Sequence, residues 1–420
     1  MSRANIFALL ITTAVFLSGF ADAFRGFSAG FLSLQGLLTV LAAVMSWFLI
    51  IIRGKISKLV LTAPLLISFI TLGLVSLLWN ASTLPEFIAG FQNLSVYAAF
   101  VGFLVLSTTE CSKNPYFRKK IGRTLSLTFK LSAMLYGLGL VIAGPGASLF
   151  MGARAFALYI ILGSAWFLGA WRYRVAGGIF WFMFIQIVLA LSFSRMATVI
   201  SILLFPLSQL SFKNLKDLLR VFLSLVLILI LATLAFTYVT PVRERFTSQG
   251  DNAEILGIKV NTSGRAEFWE PVYASTMESP LLGKGPGSVA EVVLAVNDTT
   301  GGHPHNDYLR IFHDFGIIGL LLWLMGYFGL LIKTLRSWLD SDKRNDRSAH
   351  IHLSAFLALL AVALAMLTDN IIVYIFTMVP LGVLTGLSLG SQGGQGQVSK
   401  PSRIESYQAR RKLYNIHNTR

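Results

Sequence analysis

Apolar runs near twenty residues long recur along almost the whole chain, and they dictate most of what it can become. A helix of about 20 apolar residues spans the hydrocarbon layer of a bilayer. Hydropathy places twelve such spans near 5–24, 31–52, 59–79, 88–107, 125–143, 155–171, 175–193, 196–211, 221–239, 309–332, 351–368 and 371–390. Charged residues make up only 13% of the chain, against roughly 25% in a soluble domain. The expected fold is an all-α polytopic membrane protein of about 12 transmembrane helices. The first block, Ile6 to Phe20, precedes Ala21-Asp22-Ala23, which faintly resembles a signal cleavage site. It reads instead as a retained first span, because many spans follow.

Charge sets the expected orientation. Twelve spans leave both termini on one side. The loops on that side carry Arg53, Lys55 and Lys58, the Lys113–Arg123 cluster, Arg172, Arg174, Lys213, Lys216, Arg220, and the Lys333–Arg347 group. With Arg3 and the tail from Lys400 to Arg420, that side holds 25 of the 35 Lys and Arg. The positive-inside rule makes it cytoplasmic. The net charge of +16 then records orientation and contact with anionic lipid heads, and no nucleic-acid partner is expected. Four segments follow: 1–239 with helices one to nine, a loop at 240–308, helices ten to twelve at 309–390, and a basic tail at 391–420. The tail, Gly/Gln-rich and then basic, is expected to be disordered and cytoplasmic.

The 240–308 loop faces the opposite side, with nine acids against five bases. Loops this long are functional or disordered, and Phe268, Trp269 and Tyr273 favour order. Ser263-Gly264-Arg265-Ala266-Glu267 reads as a helix start with an acidic first turn. Helical spacing continues through Val272 and Met277, and Pro280 ends it. Gly283 to Gly287 reads as a turn-rich connector.

The loop closes on Gly301-Gly302-His303-Pro304-His305-Asn306-Asp307-Tyr308-Leu309-Arg310, where polar groups gather beside a membrane surface. Asn306 or Asp307 can cap the next span. The positive helix end lowers a nearby histidine pKa and favours a nearby anion. A neutral His303 or His305 could then take a proton from a sugar hydroxyl. Ordinary polar loop residues at a boundary explain the pair equally well. Arg195, in Leu191-Ser192-Phe193-Ser194-Arg195, and Arg154, Arg265 and Arg310 are cations at the less basic side. Boundary cations of this kind are functional candidates, and guanidinium forks suit phosphate oxygens. Snorkelling to head groups competes most strongly for Arg154 and Arg25. Lys130 and Asp369-Asn370 are weaker candidates.

Other motifs lead nowhere. Gly283-Lys284-Gly285-Pro286-Gly287-Ser288 lacks the Walker spacing. Asp340-Ser341-Asp342 resembles a metal-binding acid pair but reads as a solvated charge run in a short cytoplasmic connector. A metal at His303 and His305 would need His313 or an acid as third ligand, and the spacing matches no standard zinc pattern. One cysteine, Cys111, excludes an internal disulfide and a cysteine cluster. No metal and no cofactor are expected.

Three segments together are similar to the O-antigen ligase/polymerase superfamily: Ser263-Gly264-Arg265-Ala266-Glu267-Phe268-Trp269, Ser279 to Gly287, and His303 to Arg310 with Phe315-Gly316-Ile317-Ile318-Gly319. The Ser194-Arg195 element and the placing of the loop before span ten resemble it too. The likeness is specific over about 190–320. It implies a GT-C-like helical glycosyltransferase of the bacterial inner membrane, working at the periplasmic face without metal or nucleotide. The implied donor is a glycan on undecaprenyl diphosphate. The implied acceptor is lipid A-core for a ligase, or a second lipid-linked glycan for a polymerase. The family's essential arginines map to Arg265 and Arg195, its essential histidine to His305. His303, Asn306, Asp307, Arg310 and Arg154 would line the substrate site. Asn306 or Asp307 would hold the imidazole tautomer. The same cations would suit a flippase for lipid-linked sugars, but no broken helices or repeat halves are evident.

Overall fold

A computed structural model describes residues 3–24, 26–29, 32–54, 62–210, 215–238, 240, 252–255, 258–261, 265–296, 302–346 and 348–392. Arg25, the Ser263-Gly264 pair, Gly301 and residues 393–420 of the tail lie outside them, while residues 391 and 392 are the end of a helix. Every expected span contains a helix. These are α1 (Arg3–Ser18), α2 (Leu34–Ile52), α3 (Pro64–Asn80), α4 (Leu84–Lys113), α5 (Pro115–Ala143) and α6 (Ala153–Arg172). They continue as α7 (Gly178–Leu191), α8 (Arg195–Ser208) and α9 (Leu215–Tyr238). The loop adds α10 (Ala266–Thr276) and α11 (Val289–Val296), and α12 (Asp307–Lys343), α13 (Ala349–Ala365) and α14 (Ile375–Gln392) follow. Among the described residues seven helices are long and apolar enough to cross a membrane: α2, α4, α5, α6, α9, α12 and α14. Five shorter apolar helices accompany them.

The layering follows the apolar pattern. The outer helices expose large apolar side chains such as Phe48, Trp79, Val141 and Leu229, a surface suited to lipid. α6 and α14 are almost wholly buried. α14 lies against α4 along Gly382, Gly386 and Gly390. A Cβ at these three positions would stand 2.5–2.7 Å from the carbonyl oxygens of Phe100, Leu104 and Thr108. Small residues at this spacing let two backbones approach closely.

α12 is the longest helix and carries a break. Gly316 sits at φ 64°, ψ −172°, a region that essentially only glycine occupies. The backbone groups freed there are taken up by the Pro280–Gly285 connector. Ile317 N donates to Pro280 O at 2.8 Å, while Lys284 N and Gly285 N donate to His313 O at 3.0 Å and Asp314 O at 2.9 Å. The glycine-rich motif therefore staples the kink, and the kink holds the loop. Below it, Phe69, Tyr97, Phe315 and Trp323 form a buried aromatic cluster with ring centroids 4.6–6.1 Å apart.

Local expectations in the loop fare well. α10 begins after Arg265 and ends before Pro280, with Glu267 in its first turn. The short hairpin pairing Asn252–Ile255 with Ile258–Asn261 and helix α11 were not anticipated. At the opposite end one expectation needs correction. α12 runs on to Lys343, so Asp340-Ser341-Asp342 is helix rather than connector. Ser341 is buried, and Asp342 accepts a hydrogen bond from Tyr173 Oη at 2.7 Å, itself bonded by Trp338 Nε1 at 2.8 Å. The pair braces α12 against the end of α6.

Gly316→Ala tests the kink. The added Cβ would strike the Leu281 carbonyl, and the conformation itself costs about 1–3 kcal/mol for other residues. Its thermal midpoint in detergent should fall by several degrees. Gly329→Ala, whose Cβ meets nothing within 4 Å, should leave the midpoint unchanged or raise it.

Candidate active site

Side chains far apart in the chain meet where α6, α10 and α12 begin and where α13 joins α14. Asp369 is at their centre, on the α13–α14 connection, 3% exposed. Arg154, in the first turn of α6, donates from Nε to Asp369 Oδ1 at 2.9 Å and from Nη2 to Asn370 Oδ1 at 2.7 Å. Its Nη2 also contacts Asp369 Oδ1 and His305 Nδ1. Arg265, at the N-terminal end of α10, donates to the Thr368 carbonyl and stands 3.9 Å from Asp369 Oδ2. His305 Nδ1 is 3.8 Å from Asp369 Oδ1. Arg195 opens α8, half-buried and close enough to repel the Arg265 charge.

Each side chain is aimed by its local sequence. The start of α6 is fixed by Asp22, whose Oδ2 accepts from Gly152 N at 2.7 Å. His305 adopts a left-handed backbone, φ 54°, uncommon for a residue with a Cβ. It is held between Pro304, whose carbonyl accepts from Trp269 Nε1 at 3.0 Å, and Asn306, which caps α12 by accepting from Leu309 N at 3.0 Å. Asp307 is fully buried and accepts from Ile371 N at 2.6 Å and Ile372 N at 3.0 Å. It ties the start of α12 to the Asp369 connection.

Neither Asn306 nor Asp307 orients the imidazole; Asp369 is the carboxylate beside it. Arg310 is only 2% exposed. It donates to His303 Nδ1 at 2.9 Å and Asn93 Oδ1 at 3.0 Å. The structure thus brings Arg154, Arg195, Arg265, His303 and His305 together and places Asn306, Asp307 and Arg310 as their supports. His313 points elsewhere, toward Ser275 and Ser288. Lys130 lies 5.2 Å from the Trp181 ring, between α5 and α7. Among the described residues no three His, Cys, Asp or Glu side chains group as a metal site.

The electrostatics are lopsided. Two guanidinium groups, Arg154 and Arg265, meet one carboxylate, and Arg195 stands close to Arg265. Burial raises the Asp369 pKa, but the His305 ring and the Arg154 and Arg265 charges outweigh it and hold the carboxyl well below its usual range. Burial lowers the Arg265 pKa; Asp369 opposes this, and repulsion from Arg154 and Arg195 adds to it. Burial also lowers His305; proximity to Asp369 opposes that, and the Arg154 and Arg265 charges reinforce it. His303 is held well below 6.5, by burial first and then by Arg310 and Arg154. Both imidazoles are therefore neutral at pH 7, beside the Arg154 and Arg310 guanidinium groups.

Sequence comparison decides which chemistry this resembles. Residues 178–324 match the Wzy_C family model, described as O-antigen ligase. The matched region runs from α7 to the middle of α12. It contains Arg195, Arg265, His303, His305 and Arg310, whereas Arg154 and Asp369 lie outside the Wzy_C match. No curated protein matches the chain. Asp369 and Arg154 were the residues most underrated by sequence. Their available signal was an acid and a cation at span ends, where ionisable groups are costly.

Inorganic pyrophosphate should raise the thermal midpoint of the purified protein. Arg154→Ala or Arg265→Ala should each weaken that effect by about 10- to 100-fold in ligand concentration, the size of a hydrogen bond to a charged group. Scanning fluorimetry with and without pyrophosphate checks it.

Proposed function

We propose that the protein is an inverting membrane glycosyltransferase of the O-antigen ligase type. It moves a glycan from undecaprenyl diphosphate to a sugar hydroxyl of lipid A-core. The Wzy_C domain supports the class. The carrying observation is a cluster in which Arg154 and Arg265 meet a single carboxylate, Arg195 stands close to Arg265, and a neutral imidazole touches Arg154. In this reading the twelve apolar helices all span the bacterial inner membrane in a GT-C-like arrangement. Both termini are cytoplasmic, and the Asp369 cluster faces the periplasm.

The arginines bind the diphosphate and stabilise the charge it gains as the glycosidic bond breaks. The acceptor oxygen attacks the anomeric carbon from the opposite face, the C–O bond to the diphosphate breaks, and the acceptor proton passes to His305. The resting contacts explain how that base becomes available. With Arg154 donating to Nδ1, the neutral ring carries its proton on Nε2 and cannot accept another there. Donor phosphates compete for Arg154. Once it turns to them, the ring exchanges protons with water, losing the one on Nε2 and gaining one on Nδ1; Nδ1 then donates to Asp369, and Nε2 is left free as the base. Asp369 thus couples donor binding to base activation. A polymerase would use the same residues with a second lipid-linked glycan as acceptor. Incubating purified protein with lipid-linked glycan, with and without lipid A-core, separates the two.

His305→Ala should lose about 100- to 10,000-fold in transfer rate and still bind the lipid-linked donor. Because the His305 pKa lies below 6.5, kcat/KM should hold down to below pH 6.5 and fall only as the ring is protonated. Full transfer by His305→Ala, or an acid limb centred above 6.5, would reject His305 as base. Chelator should leave the rate unchanged.

A further inference from the structure

A cavity of about 460 Å³ opens between the α3–α4 corner and the loop running from Lys284 into α11. Its lining differs in kind from the arginine site. It combines Asn80, Glu86, Lys284, Ser288 and Glu291 with apolar surface from Leu77, Pro85 and Val292. Two carboxylates against one ammonium make it a poor site for an anion. Donors and acceptors of several kinds above an aliphatic wall suit a sugar ring, which presents hydroxyls at its rim and C–H groups on its face.

The cavity is built rather than incidental. Its floor is His313, fully buried, with Nε2 3.1 Å from Ser275 Oγ and Nδ1 3.3 Å from Ser288 Oγ. Lys284 Nζ donates to the same Ser275 Oγ at 2.9 Å. Asp314 fixes the rim by accepting from Gly287 N at 2.8 Å and Val289 N at 3.1 Å. It also borders the reacting centre. Arg310 Nε stands 3.8 Å from Asp314 Oδ2, while Arg310 Nη1 holds His303. One side chain separates the two sites.

We infer that this cavity is an oligosaccharide subsite, binding sugar units one or more residues away from the bond being made. The inference rests on the glycan-transfer reading above. The sugar chain of the donor and that of the acceptor share this chemistry, and two arms of one experiment distinguish them.

Purified protein in nanodiscs is titrated with two probes. One is the oligosaccharide released by mild acid from the lipid-linked glycan of the source cells. The other is the delipidated core oligosaccharide of the same cells. Ala89→Trp fills the cavity, and the pair Asn80→Ala with Glu291→Gln strips polar groups from its exposed rim. Both variants should bind at least one probe about 10-fold more weakly than wild type. The KM for the matching substrate should rise with kcat retained, and His305→Ala should bind like wild type. Loss confined to one probe assigns the subsite to that substrate. Unchanged affinity in both variants, or binding of neither probe by wild type, would overturn the subsite. Failure of wild type to transfer any lipid-linked glycan, with probe binding intact and cavity-dependent, would instead reject the transferase reading alone.

Discussion

One buried carboxylate facing too many guanidinium groups is the constraint on which this molecule turns. A buried charge is tolerated only when paired, and Asp369 is paired several times over. The converse does not hold. Arg154 and Arg265 share that acid, with Arg195 close to Arg265, and the half-exposed Arg154, with 38% of its side chain accessible, is the one best placed to exchange it for an incoming anion. Guanidinium groups gathered in a low dielectric favour a multivalent anion.

The fold exists to keep those groups together. Asp369 and Asn370 belong to a connection that α12 seizes through Asp307, and α12 is in turn gripped by the connector at Gly316. α14 is locked to α4 by its glycine face. A displacement of α12 would therefore shift His305, His303 and Asp369 in concert. In the proposed reaction such rigidity has a chemical use, since proton transfer demands hydrogen-bond distances that a loose support would not maintain. The left-handed backbone at His305 fits the same account: an uncommon conformation held at a position where the ring must face Arg154 and Asp369.

Much of this was legible beforehand because it is local or periodic. Apolar block length gave the helix in each expected span, Pro280 bounded α10, and Asn306-Asp307 before an apolar run marked the start of α12. Arg265, Arg195 and His305 stood out through short motifs. The remainder depends on pairings that no local pattern encodes. Arg154 and Asp369 are 215 positions apart, each a lone ionisable residue at a span end, and Arg154 in particular reads like any arginine reaching for head groups. The division of labour among Asn306, Asp307 and Arg310 was equally hidden. All three have functional side chains in a functional motif, yet burial turns them toward the backbone and toward His303. Asp340 to Asp342 misled for the opposite reason: charge suggested solvent, while Tyr173, distant in sequence, provided a partner.

The most direct test is a cryo-EM structure of the protein in nanodiscs with undecaprenyl diphosphate bound. The account predicts phosphate density among Arg154, Arg195 and Arg265, with Arg154 released from Asp369 and His305 Nδ1 drawn within hydrogen-bond distance of that carboxylate. Diphosphate bound away from these arginines, or an Arg154–Asp369 pair left intact beside it, would contradict the account.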